Sequence, residues 1–298
     1  MASIADLKEG EVMALLSAII GGILFGGSLA LLAYGLNLAF GVLNIIHFFY
    51  GQSIMLGLYI IFTLTVWFNV PLIVSCLVAV AVIVALHVVV HLGVIQPLLK
   101  APLINQFLAL ASIITILENS AMGVWGATYR GVPIALPVLN IGELYIRTSN
   151  LIAFLGSLIV IGLLYLFLNK TYTGLAIRAT AQDREMASIM GIKPRRIYLI
   201  TLALVGVLAG IAAAFYALVY AVHPHWGGTF TLMAFVTVVL GGLGNLSGGF
   251  LAALIIGVVM MVVSFLTIPE GGPIAVYLIF LVVILVRPEG LLGVRARA

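Results

Sequence analysis

The sequence predicts an all-α protein: a polytopic transmembrane helical bundle of about 8–10 spans, with broken or re-entrant segments and a short cytoplasmic helix. Three observations lead there. Hydrophobic residues fill 64% of the 298 positions and charged residues 7%, with a mean hydropathy of +1.32. A soluble domain could not hide that much apolar surface. The apolar residues come in runs long enough to cross a bilayer, which takes about 20 residues each. Finally, the chain from Lys170 to Arg196 gathers six of the thirteen Lys and Arg residues, a polar island that belongs in water beside a membrane. No linker or low-complexity tract divides the chain, so residues 1–298 read as one transmembrane domain.

The chain opens MASIADLKEGE, without a basic n-region, so no cleavable signal peptide is expected. Apolar runs follow at about 12–34, 50–69, 72–95, 103–125, 148–168, 197–222, 230–243, 247–268 and 273–287. The piece at 35–49 is too short and broken to count as a crossing of its own. Nine crossings place the N-terminus outside and the C-terminus inside. Charge placement agrees: ten Lys and Arg fall in the loops assigned inside, and only Lys8, Arg130 and Arg147 outside. The polar loop at 169–196 is then cytoplasmic, and 126–147, with Pro133, Pro137 and Glu143, is the main external loop. His223-Pro224-His225-Trp226 makes a short external turn.

Two stretches interrupt the smooth spans. In Tyr34–Gly57 the residues Asn37, Gly41, Asn44, Phe48 and Gly51 share one face if the stretch is a single helix. In Val239–Gly257 six glycines and Asn245 break an apolar run. Irregular backbone at membrane depth survives where protein or a water-filled cavity satisfies it, and paired glycine-interrupted segments point to a transport path. The competing reading is close helix packing through small residues, as at Gly22/Gly26 and Gly249/Ala253/Gly257. On the path reading, Asn37, Asn44, His47, Gln52 and Asn245 are candidates to line it.

Glu118-Asn119 adds a carboxylate within a span, seven residues from its outer end. At the centre of a span a carboxylate costs about 2.5–3.5 kcal/mol, so it faces protein or a cavity. It is either a polar group in the path or gate, or one end of an interhelical hydrogen bond. His87 and His91 stand at i, i+4, a metal-capable spacing with no carboxylate or thiol nearby to complete a site; neutral imidazoles facing a helix interface or the nearby cytoplasmic surface are the favoured reading. A solvated loop is favoured for His223 and His225.

The polar island encodes a short helix. Thr180 and Asp183 form a T-x-x-D capping box, the body runs Ala181–Met190, Gly191 supplies a left-handed C-terminal residue and Pro194 stops continuation. Met186, Ile189 and Met190 give it an apolar face; Gln182, Asp183 and Arg184 give it polar edges.

Composition also excludes much. The lone Cys76 rules out a disulfide framework and a Cys-based metal site. The net charge of +4 reflects where Lys and Arg stand, not nucleic-acid binding. No G-x-x-x-x-G-K-[ST] loop is present to cradle a nucleotide phosphate, and no Ser-His-Asp grouping suggests an enzyme.

TGLAIRATAQDREMASIMGIKPRRIYLITLALVGVLAGIAAAF (173–215), AFVTVVLGGLGNLSGGFLAALIIG (234–257) and RPEGLLG (287–293) together resemble the membrane permeases of branched-chain amino acid ABC importers, over about residues 15–293. The resemblance implies a permease in the bacterial cytoplasmic (inner) membrane, surrounded by lipid. It implies a second permease, two ATP-binding subunits that hold the ATP and Mg, and an external solute-binding protein. This chain itself is expected to carry no cofactor. By the same resemblance, Ala181–Met190 is the coupling helix, closed by Gly191. The sequence departs from the family pattern at His47-Phe48-Phe49-Tyr50-Gly51-Gln52, where many members read N-F-A-H-G-E. A urea or short-amide permease is therefore an alternative. The rival classes are an ion-gradient transporter using Glu118 and a passive channel.

Overall fold

The computed structural model describes residues 4–292, except 46, 100, 135, 142–143 and 288. Lys100, Glu143, Arg295, Arg297, and Pro288 and Gly293 of the RPEGLLG motif therefore lie outside the described residues, as does the side chain of Lys8.

Each apolar run has become a helix. The chain runs α1 (Ile4–Leu43), α2 (Tyr50–Phe62), α3 (Leu72–Val90), α4 (Gln96–Leu98), α5 (Leu103–Trp125), then strands β1 (Val138–Ile141) and β2 (Leu144–Arg147). It continues α6 (Thr148–Lys170), α7 (Tyr172–Gln182), α8 (Arg184–Ile189), α9 (Pro194–Ala217), α10 (Trp226–Gly241), α11 (Leu246–Leu266) and α12 (Gly271–Val286). Wider π turns at Thr63–Trp67 and His91–Ile95 prolong α2 and α3. Among the described residues, seven helical stretches are long and apolar enough to cross a membrane, and α10 and α12 are shorter apolar helices. At 16 residues each, those two span about 24 Å, less than the hydrocarbon thickness of about 30 Å.

The antiparallel pair α1–α11 forms the spine. A Cβ at Gly22 would stand 2.6 Å from Val258 Cα, and one at Gly26 would stand 2.8 Å from Ala253 O. One at Gly257 would meet Gly22 O and the Gly26 backbone. The two backbones touch, as small-residue packing requires in a solvent where apolar side chains gain little from leaving lipid. Helix α9 packs against this spine and also against α2, α3 and α6. Gly206 and Gly210 of α9 lie against Val84 and Val80 of α3.

Two sequence expectations need correction. Residues 35–43 are the last turns of a 40-residue α1, because nothing in YGLNLAFGVL breaks a helix until Asn44 takes a left-handed backbone at φ +53°. The shared face through Gly51 accordingly fails. Asn37 and Gly41 face α11, Phe48 packs on Phe107 and Phe235, and Gly51 lies against Gly227 and Thr231 of α10. Within 126–147, β1 and β2 pair antiparallel with Val138 opposite Arg147.

Candidate coupling segment and the cavity beside it

The polar island folds as two helices, not one. Thr171 caps α7, its hydroxyl accepting from Gly174 N at 3.0 Å while donating to Phe167 O at 2.7 Å. Gly174 allows α7 to cross directly over the end of α6, because a Cβ there would collide with Phe167 O and Leu168 Cα. Ile177 and Thr180 are buried beneath the helix. Thr180 does not cap: its hydroxyl donates to Ala176 O within α7. The chain leaves the helix at Asp183, φ −151° and ψ 107°. The Asp183 carboxylate accepts from the N–H groups of Glu185 and Met186, both at 2.9 Å.

The expected single helix Ala181–Met190 is thus corrected. Ala181 and Gln182 end α7, Asp183 is the N-cap, and Arg184–Ile189 is a separate helix. An aspartate at the cap satisfies two orphan donors at once and outcompetes continuation of α7. The far end matches expectation. Gly191 sits at φ +87°, Ile192 N donates to Ala187 O at 3.0 Å and Gly191 N donates to Ser188 O at 3.1 Å, the double bond of a Schellman motif. Pro194, expected as a stop, opens α9, where its missing N–H costs nothing.

Between these bends α8 stands out as a knuckle. Met186, Ile189 and Met190 are 60%, 78% and 82% exposed, while Ala187 turns inward. The Arg184 guanidinium lies 5.5 Å from the centre of the Tyr198 ring on α9, which ties the knuckle's root to a span.

Beside α7 lies a cavity of about 510 Å³, bounded by the C-terminal turns of α1 and α6, by Ile177, Arg178 and Ala181 of α7, and by the turn between α10 and α11. That turn is clamped from two sides. Asn37 of α1 accepts from Gly244 N at 2.8 Å and donates to Asn245 O at 3.0 Å. The segment after α12 straps the other side: Leu291 N donates to Leu240 O at 2.7 Å, and Asn245 Nδ2 donates to Leu292 O at 2.8 Å. Asn245 Oδ1 meanwhile caps α11 through Gly248 N at 3.0 Å.

The seven candidate path residues do not converge. Asn37 and Asn245 meet at this cavity. His47 and Gln52 are both 1% exposed and lie in a separate seam around α2. The His47 ring lies 4.3 Å from that of Phe49, tilted by 60°, and 5.2 Å from the His87 ring; Gln52 lies against Gly227 of α10. Asn44 is exposed at the end of α1 and Asn119 is exposed with its amide on Thr115 O. Glu118 meets His225 Nδ1 at 2.5 Å. That contact belongs to a clasp at the opposite end of the bundle, where Arg130 and Val222 exchange backbone bonds and His223 Nε2 bonds to Ala127 O at 2.9 Å. His223 is therefore half-buried and His225 exposed, and neither is free. His87 and His91 are fully buried at a helix interface as expected, and among the described residues no group of three or more His, Cys, Asp or Glu could hold a metal ion. Missed from sequence were Arg178, Gly244 and the strap; Thr171 followed three residues later by Gly174 was the readable sign that α7 begins there.

Residues 18–287 match the family described as branched-chain amino acid transport system, permease component. The chain belongs to that family. Its relatives include the high-affinity branched-chain amino acid transport system permease protein BraD of Pseudomonas aeruginosa, 26% identical over 95% of this chain and 97% of BraD. LivH of Escherichia coli, of the same description, is 26% identical over 91% and 93% of the two chains. The probable permease protein LivH of Methanocaldococcus jannaschii is 28% identical over 97% and 95%. This permease is a multi-pass membrane protein, and α7–α8 and the clamped turn are parts of it.

Proposed function

We propose that this permease is the membrane-spanning subunit of an ATP-driven importer of branched-chain or other small hydrophobic amino acids. It lies in the bacterial cytoplasmic membrane with its N-terminus outside and its C-terminus inside. A second permease completes the path, two ATP-binding subunits drive it and an external binding protein delivers the solute. The observation that carries the reading is the α8 knuckle, three large apolar side chains held in water between two defined bends. Water is a poor place for Met186, Ile189 and Met190, and a groove on another protein would cover them. Family membership supports the assignment of that groove to an ATPase.

The fold offers a route from knuckle to path. Helix α7 touches α1, α6 and α9, and it is seated on α6 at Gly174 with no side chain to give. A displacement of α8 therefore moves α7 as a body against the cavity and the turn that Asn37 clamps. Coupling requires only that the ATPase grips α8 differently in two states. The seam around His47 and Gln52, where this sequence departs from the common family pattern, is the proposed determinant of the cargo's chemistry. The test is uptake by the reconstituted complex of permeases, ATP-binding subunits and binding protein in liposomes. Leucine accumulation that needs ATP and the binding protein supports the reading; accumulation driven by a proton gradient without ATP, or uptake of urea in preference to leucine, contradicts it.

A further inference from the structure

Helix α5 is the least covered of the seven long spans: 11% of its apolar stretch is buried, against 61% in α9. It leans on the bundle chiefly through α2, and at its outer end Trp125 Nε1 donates to Thr63 Oγ1 at 2.7 Å. The face turned away from the bundle carries Asn105, Leu108, Ser112, Thr115 and Asn119, all exposed. They follow one another at steps of three and four, so they form one stripe along the helix. Four of the five are polar. The outer faces of other spans differ: every exposed residue of α3 and α12 is apolar, as at Leu77, Val82 and Val89 and at Leu278, Val282 and Leu285. That is the composition of a surface in lipid, which offers no hydrogen-bond partner. The Ser112 and Thr115 hydroxyls donate to Leu108 O and Ala111 O, and the Asn119 amide donates to Thr115 O. Their oxygens and the second amide hydrogen of Asn119 are left for a neighbour.

We infer that a second copy of this chain packs on this stripe, α5 against α5. Two copies inserted the same way in a membrane are related by a two-fold axis along its normal, so like helices meet parallel and in register. Residues alternately three and four apart then fill the a and d positions of a left-handed pair crossing at about 20°. Each meets its own counterpart. Self-pairing needs groups that both donate and accept, as Asn, Ser and Thr do; a carboxylate or an ammonium would repel its copy. The stripe carries no charge, and Glu118, the charged residue of α5, is engaged beside it by His225. Asn105 and Asn119 stand two heptads apart at equivalent a positions, where asparagine fixes register and the number of strands. The exposed Ile104 and Ile116 flank the polar line and close around it in the pair. The inference rests on the proposed pairing of two permeases and names the second as a copy of this chain.

The test is oxidative cross-linking of the full-length permease, made together with its partner subunits, in native membranes. Asn105→Cys, Ser112→Cys and Asn119→Cys are introduced singly in a Cys76→Ala background, with Leu77→Cys on the apolar face of α3 as the control. A disulfide needs Cβ atoms within about 4.5 Å of each other, so it reports a fixed close approach. The expected product is a species of twice the mass, containing this chain alone, from the three stripe positions and not from Leu77→Cys. Adding Asn119→Asp to Ser112→Cys sets two carboxylates face to face and should reduce that product at least about tenfold, while Asn119→Gln should retain it. Cross-linking to a different permease, equal cross-linking from Leu77→Cys, no product from any stripe position, or a product indifferent to Asn119→Asp overturns the inference. So does ready labelling of Ser112→Cys by a water-soluble maleimide in the assembled complex, which would put the stripe on a water-filled passage. None of these outcomes alters ATP-dependent leucine uptake, so the transport reading is judged separately.

Discussion

Replacing Gly191 isolates the knuckle from the rest of the protein. The residue sits at φ +87°, yet no heavy atom lies within 4 Å of the place a Cβ would occupy. A substitution there meets backbone strain and no collision, so the spans should be untouched. Alanine in a left-handed conformation costs about 1 kcal/mol and a β-branched residue about 2 kcal/mol, whereas asparagine visits that region at well under about 1 kcal/mol. Helix α8 has six residues and little stability of its own, since isolated helices under about 12 residues are marginal. A penalty of about 2 kcal/mol shifts the folded fraction of such a corner by about thirtyfold, since about 1.4 kcal/mol is tenfold. ATP-driven uptake in proteoliposomes should therefore be highest for Gly191→Asn, lower for Gly191→Ala and lowest for Gly191→Val. Gly191→Val should lose at least about fivefold while its thermal midpoint in detergent stays at the native value. ATP hydrolysis per solute moved should rise in step as docking fails. Native uptake and native coupling in Gly191→Val would show that transport does not depend on the corner that holds α8.

Other substitutions probe the remaining supports. Asp183→Ala removes the acceptor of two N–H groups and should cost about 1 kcal/mol, seen as about fivefold faster amide exchange over 185–190; Asp183→Asn should exchange within about twofold of native, roughly the spread among good N-caps. Asn37→Ala orphans Gly244 N, while Asn245 O keeps Gly249 N, and should cost about 1–3 kcal/mol in chemical denaturation, with uptake reduced as the turn loosens. Gly257→Leu must push α1 and α11 backbones apart, an overpacking cost of about 1–3 kcal/mol that should lower the thermal midpoint. Gly21→Leu, on the same α1 but with nothing within 4 Å, should leave it unchanged.

The long spans were legible because each is a run of apolar residues bounded by polar or helix-breaking ones, and lipid demands that such runs be helical. Small-residue contacts such as Gly22 with Gly257 were legible because small residues at helical spacing mark faces where backbones can touch. The end of α1 was not: Asn37 to Leu43 is helical by propensity, and only the left-handed Asn44 ends it. In the polar island, Thr180 and Asp183 both carry N-cap chemistry, and local sequence cannot rank them. The tertiary seat of Ile177 and Thr180 against the bundle keeps α7 helical through Thr180 and moves the break to Asp183. The gathering of Asn37, Asn245 and Arg178 at one cavity joins residues far apart in the chain, which no local pattern encodes. The contact of Glu118 with His225 is of the same kind.

On the proposed function, Arg184–Ile189 faces the cytoplasm and is gripped there by a partner ATPase. Met186→Cys in a Cys76→Ala background gives a single thiol on that knuckle, open to a membrane-impermeant maleimide. Labelling is expected in inside-out vesicles but not in intact cells, with protection once the ATP-binding subunits assemble. Labelling from outside the cell, or equal labelling with and without those subunits, would contradict it.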